Sequence, residues 1–176
     1  MRLGRLGRRG PEVPDEVAAV LGSRAAEVLS VAREPRTTAY LVATKTHVYA
    51  VRGGSEAGSV ELDRPWHMVD TGSWDDETRR LTVQWVDRAP ASVWEIELPS
   101  TLPQVFRERV QATVVLSDEV DLGGRQKARV VVRKDLETQA LLGQTILGRG
   151  VRSTDPGVLE TTRAALDRLR EQVGLS

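Results

Sequence analysis

The stretch Arg64-Pro-Trp-His-Met-Val-Asp-Thr-Gly-Ser-Trp74 gathers residues that can do chemistry. It holds one of the two histidines and two of the four tryptophans, with Asp70 inside it and Asp75, Asp76 and Glu77 directly after. A histidine near a carboxylate is the raw material of general base catalysis. Here the spacing opposes it. On a strand, His67 and Asp70 point to opposite faces, so they do not pair. His67 therefore reads as a strand or loop histidine. His47, opening another strand after a turn, is its one possible imidazole neighbour. Two histidines without a third ligand make a poor zinc site.

The acidic run Trp74-Asp75-Asp76-Glu77-Thr78 lacks the spaced oxygen ligands and turn glycine of a calcium loop. Aspartates bond nearby backbone in turns, so the run reads as a hairpin turn. The glycine groups (Gly53, Gly54 and Gly58; Gly123 and Gly124; Gly148-Arg-Gly150) match no phosphate-loop or dinucleotide pattern and also read as turns. There is no nucleophile elbow and no zinc-protease helix motif. The chain has no cysteine, which excludes disulfides, thiolate metal sites and cysteine nucleophiles. No catalytic residue, cofactor or metal is expected.

Other residues are candidates for contact rather than chemistry. Trp85 and Trp94 lie on apolar faces of alternating strands and read as core. Trp66 follows a proline in a loop and is the tryptophan expected to be partly exposed. With Arg64 beside it, it is the candidate partner contact, since tryptophan is enriched at hot spots. Arg2, Arg5, Arg8 and Arg9 are the candidate contacts to an anionic surface. Each could contribute about 1 kcal/mol at a strongly negative membrane, although the tail has too little apolar area to anchor alone. Arg125, Lys127, Arg129, Arg133 and Lys134 could add to that surface.

These residues must be positioned by a fold. The chain has 176 residues, 40% hydrophobic and 28% charged, with zero formal net charge. That suits a globular protein of one domain with an extension, or two small domains. Of the 25 basic residues only Lys45, Lys127 and Lys134 are lysines, a bias that fits a GC-rich genome. Neutral charge argues against a nucleic-acid partner. No apolar run reaches the length of a membrane helix, and no apolar stretch follows the basic N-terminus, so a cytoplasmic location is expected.

Residues 1–13 lack apolar periodicity and read as a flexible basic tail. Pro14-Asp-Glu opens a short helix that Gly22 can cap. The period then changes to two. EVLSVARE, TAYLVAT, HVYAVR, HMVDTGSW, RRLTVQWVD and SVWEIEL read as six antiparallel strands, the second and third forming a hairpin across Lys45-Thr46. Thr101-Leu-Pro-Gln starts an amphipathic helix with Leu102, Val105, Phe106, Val110 and Val114 on one stripe, its end blurred by the strand-like Val114-Val115-Leu116. RQKARVVVRKD and TQALLGQTILG read as two more strands. Asp155 as N-cap and Pro156 at the first position open a last helix whose stripe is Val158, Leu159, Thr162, Leu166, Leu169 and Val173. Meandering strands closed by one helix indicate an α+β fold, an antiparallel split barrel capped by a helix.

The hairpin TAYLVATKTHVYAV, the segment DRPWHMVDTGSWDDETRRLTV and the helix LPQVFRERVQATVV resemble a bacterial pleckstrin-homology-like domain. The whole chain is similar to a family of actinobacterial proteins of unassigned function. The resemblance covers residues 14–120 and leaves 121–176 as a β-hairpin and helix extension. It implies a binding or scaffolding fold and brings no catalytic residues. The expected function is a non-catalytic protein-interaction or scaffolding module with an unidentified protein partner or self-association. Alternatives are a peripheral anionic-lipid binder using the tail, and a small-ligand carrier or enzyme using the barrel interior.

Overall fold

The computed structural model describes residues 10–53 and 58–175. Helix α1 (Asp15–Leu21) follows Pro14, carries Asp15 and Glu16 in its first turn, and stops at Gly22, whose φ of 57° needs no Cβ. A 3₁₀ turn leads into four antiparallel strands: β1 (Val28–Arg33), β2 (Ala39–Thr44), β3 (His47–Arg52) and β4 (Ser59–Pro65), paired in that order. Sheet β2–β3 is buried on both faces. Val42, Tyr49 and Val51 pack beneath α1, while Leu41, Ala43 and Val48 face the main core. That double burial explains why TAYLVAT and HVYAVR are nearly continuous apolar runs.

A 3₁₀ turn at Trp66–Met68 carries the chain into a second sheet of β5 (Val69–Asp75), β6 (Arg80–Trp85) and β7 (Ser92–Glu95). Leu81, Val83 and Trp85 point inward as their alternation requires. Helix α2 (Leu102–Thr113) lays Leu102 and Phe106 on the core between the two sheets.

The third unit is β8 (Val114–Asp121), β9 (Lys127–Lys134) and β10 (Leu141–Leu147), in the order β10-β9-β8, covered by α3 (Val158–Gln172). It has its own core, with Val120, Ala128, Val130 and Val132 against Ala165 and Leu169. On the opposite face of β9, Arg129 pairs with Asp70 of β5 and Arg133 bonds Thr113 of α2.

The expected α+β class with antiparallel sheets holds. The strands form three separate sheets and, among the described residues, no closed barrel. Four local expectations change. Ser59–Pro65 is a strand, β4, though its alternating Glu61 and Asp63 leave it largely exposed. Residues 66–68 are a turn rather than the start of a strand. The extension is a three-stranded sheet plus helix, because Val114 leaves helical geometry and β8 pairs along β9. Finally, Asp155 is not the cap of α3. Its carboxylate accepts the Arg152 amide at 2.9 Å, closing a turn before Gly157 caps the helix, and Leu159 faces solvent.

Candidate functional site

Trp66 is fully buried, at 0% exposure. Pro65 stays in register opposite His47 at the end of β4, and the following turn tucks the indole under α2. Its N–H donates to the Thr44 carbonyl at 3.0 Å, and its ring meets Phe106 edge-on at 5.1 Å. A buried indole touches no partner, so the expected exposure of Trp66 is corrected and its contact role falls with it. Arg64 is half-buried and already engaged. It donates to Asp87 at 2.6 Å, and its guanidinium lies 4.8 Å from the Trp85 ring centre. The bond from Arg64 holds the Asp87 carboxyl below its usual range.

Arg2, Arg5, Arg8 and Arg9 lie outside the described residues. The basic residues of β9 do not form one cationic face. Lys127 pairs with Glu119 at 2.7 Å, Arg129 pairs with Asp70, and Arg133 is buried, leaving Arg125 and Lys134.

Asp70 is thus taken by Arg129 and does not pair with His67, though His67 sits in the 3₁₀ turn rather than on the strand whose alternation was expected to separate them. The structure supplies His67 with a different carboxylate, Asp135 from the β9–β10 turn, with Nδ1 at 4.0 Å from Oδ1. Burial alone would raise the Asp135 carboxyl, but the Glu137 and Thr138 amides that bond it outweigh this and hold it low. Burial lowers the His67 pKa and favours the neutral imidazole, against the pull of Asp135. Among the described residues its Nδ1 has no hydrogen-bond partner. His47 lies 3.8 Å from Asp63 and 3.9 Å from Glu137, which also meets Arg24 at 3.5 Å. This cluster fastens the β9–β10 turn to the first sheet, helped by Gln144 donating to the His67 carbonyl at 2.9 Å. Neither histidine lines any of the four principal cavities. Among the described residues, no three metal-ligating side chains converge. The Asp75 run is a turn: Asp75 accepts the Glu77 and Thr78 amides at 2.9 and 3.0 Å, and the bond from Thr78 chiefly depresses its pKa.

The most open recognition geometry lies along β5. This strand is an edge, paired among the described residues only with β6. Thr71, Gly72 and Ser73 are exposed, and among the described residues no other backbone bonds the outer edge of Thr71–Asp75. Beside it, between β5 and α2, runs a groove of about 480 Å³ lined by Gly72, Trp74, Leu81, Phe106 and Val110, with Arg107 as its charged residue. Gly72 is required there, since a Cβ would stand 2.6 Å from the Phe106 ring. A glycine inside a strand marks close approach. That signal was present in HMVDTGSW, but its neighbour across the groove, Phe106, is 34 residues away in the chain. Edge strands are normally blunted by lysine, proline or a covering element. Thr71–Trp74 carries no proline, lysine or covering strand among the described residues, and its blunting is confined to its ends, the irregularity between Val69 and Thr71 and the charge of Asp75. Among the described residues no helix is long and apolar enough to cross a membrane. No protein family, curated protein or solved structure matches this chain.

Proposed function

We propose that the chain is a non-catalytic protein-interaction module on a pleckstrin-homology-like arrangement, and that it binds an extended peptide segment of a partner by strand addition to β5. The sheet order of four strands, then three, then a helix supports the architectural part. The unpaired edge Thr71–Asp75 beside an apolar groove carries the functional part. Strand addition draws affinity from main-chain hydrogen bonds and selectivity from side-chain pockets. The groove takes an apolar side chain against Trp74, Phe106 and Val110, and Arg107 favours an acidic residue next to it. The lipid-binding alternative now rests on the tail, because the β9 cations are paired, buried or scattered.

The test selects random displayed peptides on the full chain and maps the winners by amide hydrogen exchange. The expected result is protection of the Thr71–Asp75 amides and enrichment of apolar–acidic pairs. Gln111→Trp fills the groove from an exposed position of α2 and abolishes binding without unfolding the chain. Winners that leave β5 unprotected, or that bind Gln111→Trp unchanged, refute the reading. Concentration-dependent dimers that protect the same amides would assign the strand to self-association instead.

A further inference from the structure

A second cleft, of about 860 Å³, opens between the β6–β7 loop and the β9–β10 hairpin. Its apolar lining includes Val86, Ile146 and Leu147, and Thr71, Thr145 and Ser153 bring hydroxyls. Its volume lies in the usual range of small-molecule sites. Four cations line it. Lys127 and Arg129 are neutralised by Glu119 and Asp70, which also line the cleft, and its third acid, Asp87, is bonded by Arg64 from outside the lining. Arg88 and Arg149 remain, with no carboxylate partner among the described residues.

Both arginines are held by special backbone. Arg88 has a left-handed φ of 61° and spans the cleft, donating to the carbonyls of Leu147 and Val151, each at 3.2 Å. Arg149 is the tip of the Gly148–Gly150 turn. A Cβ on Gly148 would stand 2.4 Å from the Lys127 carbonyl oxygen, and Gly150 has φ 78°. The bonds from Gly148 N–H to Lys127 at 2.9 Å and from Val151 N–H to Gly148 at 3.2 Å close this turn. A left-handed non-glycine residue is uncommon, and such conformations cluster at functional sites. The Arg88 guanidinium is pinned with its Nη2 on two carbonyls, which leaves Nε and Nη1 for a ligand, and the exposed Arg149 guanidinium can close a paired N–H fork on an anion at the same cleft of mixed apolar and polar lining.

We propose that this cleft binds a small organic anion, a carboxylate or phosphate on an apolar body, between Arg88 and Arg149. The cleft shares Thr71 with the β5 groove but places Arg88 and Arg149 outside it, so either reading can fail while the other stands. The test titrates the full chain with 2-naphthyl phosphate, 2-naphthoate and neutral 2-naphthol, read by calorimetry and by NMR shifts at Arg88, Ile146 and Arg149. Either anion is expected to saturate while 2-naphthol does not. Arg149→Glu should weaken the anion by about ten-fold or more with an unchanged melting temperature, Arg88→Gln should weaken it too, and Gln111→Trp should leave it intact. Phosphatidylcholine vesicles containing phosphatidic acid separate the sources. Binding that also recruits these vesicles, lost in Arg149→Glu, assigns a lipid headgroup, and binding of the soluble anions alone assigns a free metabolite. Equal binding of 2-naphthol, no saturation by either anion, or unchanged affinity in Arg149→Glu overturns the proposal.

Discussion

Replacing Arg133 with methionine should stabilise this protein. Arg133 is 2% exposed, yet among the described residues no carboxylate lies within ion-pair distance of it. Its Nη1 donates to Thr113 Oγ1 at 2.8 Å, its Nη2 reaches the Asp70 carbonyl only at 3.4 Å, and its Nε has no partner. Burial lowers its pKa and the nearby Arg129 charge lowers it further, against a smaller opposing pull from Asp70. A hydrogen bond to a charged group contributes about 1.5–3 kcal/mol. One good bond and one long one thus oppose a desolvation cost of several kcal/mol for a buried ion. Methionine conserves most of the volume and leaves few orphans. The Thr113 hydroxyl still donates to the Val110 carbonyl at 2.7 Å, and the Asp70 carboxylate keeps Arg129. Replacing a buried ion with an apolar residue of similar size is typically neutral to stabilising by about 1–4 kcal/mol, and the single strong bond lost places this case near 1–3 kcal/mol. At about 2–4 °C per kcal/mol for a chain of this size, the melting temperature rises by at least 2 °C. Calorimetric melts at neutral pH measure it. Arg133→Ala serves as the control, because it removes the packed stem together with the charge and should fall below Arg133→Met by about 2 kcal/mol or more. A loss of more than about 1 kcal/mol in Arg133→Met would show that the buried guanidinium is net favourable and refute the reasoning.

Two further outcomes follow from contacts across the third sheet. Gly148→Ala should cost about 1–3 kcal/mol, because the new methyl meets the rigid Lys127 carbonyl oxygen rather than a movable side chain, and denaturant melts should show it. The pKa of His67 is lowered on folding, so below its unfolded value of about 6.5 the unfolded chain binds the extra proton and stability falls with falling pH. His67→Gln should therefore remove part of the stability loss that begins as pH drops through that value. Identical pH dependence in urea midpoints for the wild type and His67→Gln would show that the imidazole is not held neutral.

Local pattern sufficed for elements whose burial is decided by their own alternation. The hairpin β2–β3, the inward face of β6, the pair β9–β10 and the stripe of α2 were legible because period and turn residues agree. β4 and β8 were not. Glu61 and Asp63 disguise β4, and the apolar residues at 110 and 114 keep a helical spacing into β8. Only pairing with β3 and with β9 decides these segments. The same holds for the sites. The residue types in RPWHMVDTGSW were visible, but their environments were not. Trp66 is buried because α2, 36 residues onward, covers it, and His67 meets Asp135, which lies 68 residues away. The β5 groove and the arginine-flanked cleft each join side chains from separate elements. The sequence by itself determined which segments can alternate, cap and turn, because those preferences are local. The tertiary structure decided which faces are covered, which charges are paired and which strand edge stays open, because these depend on contacts between distant parts of the chain.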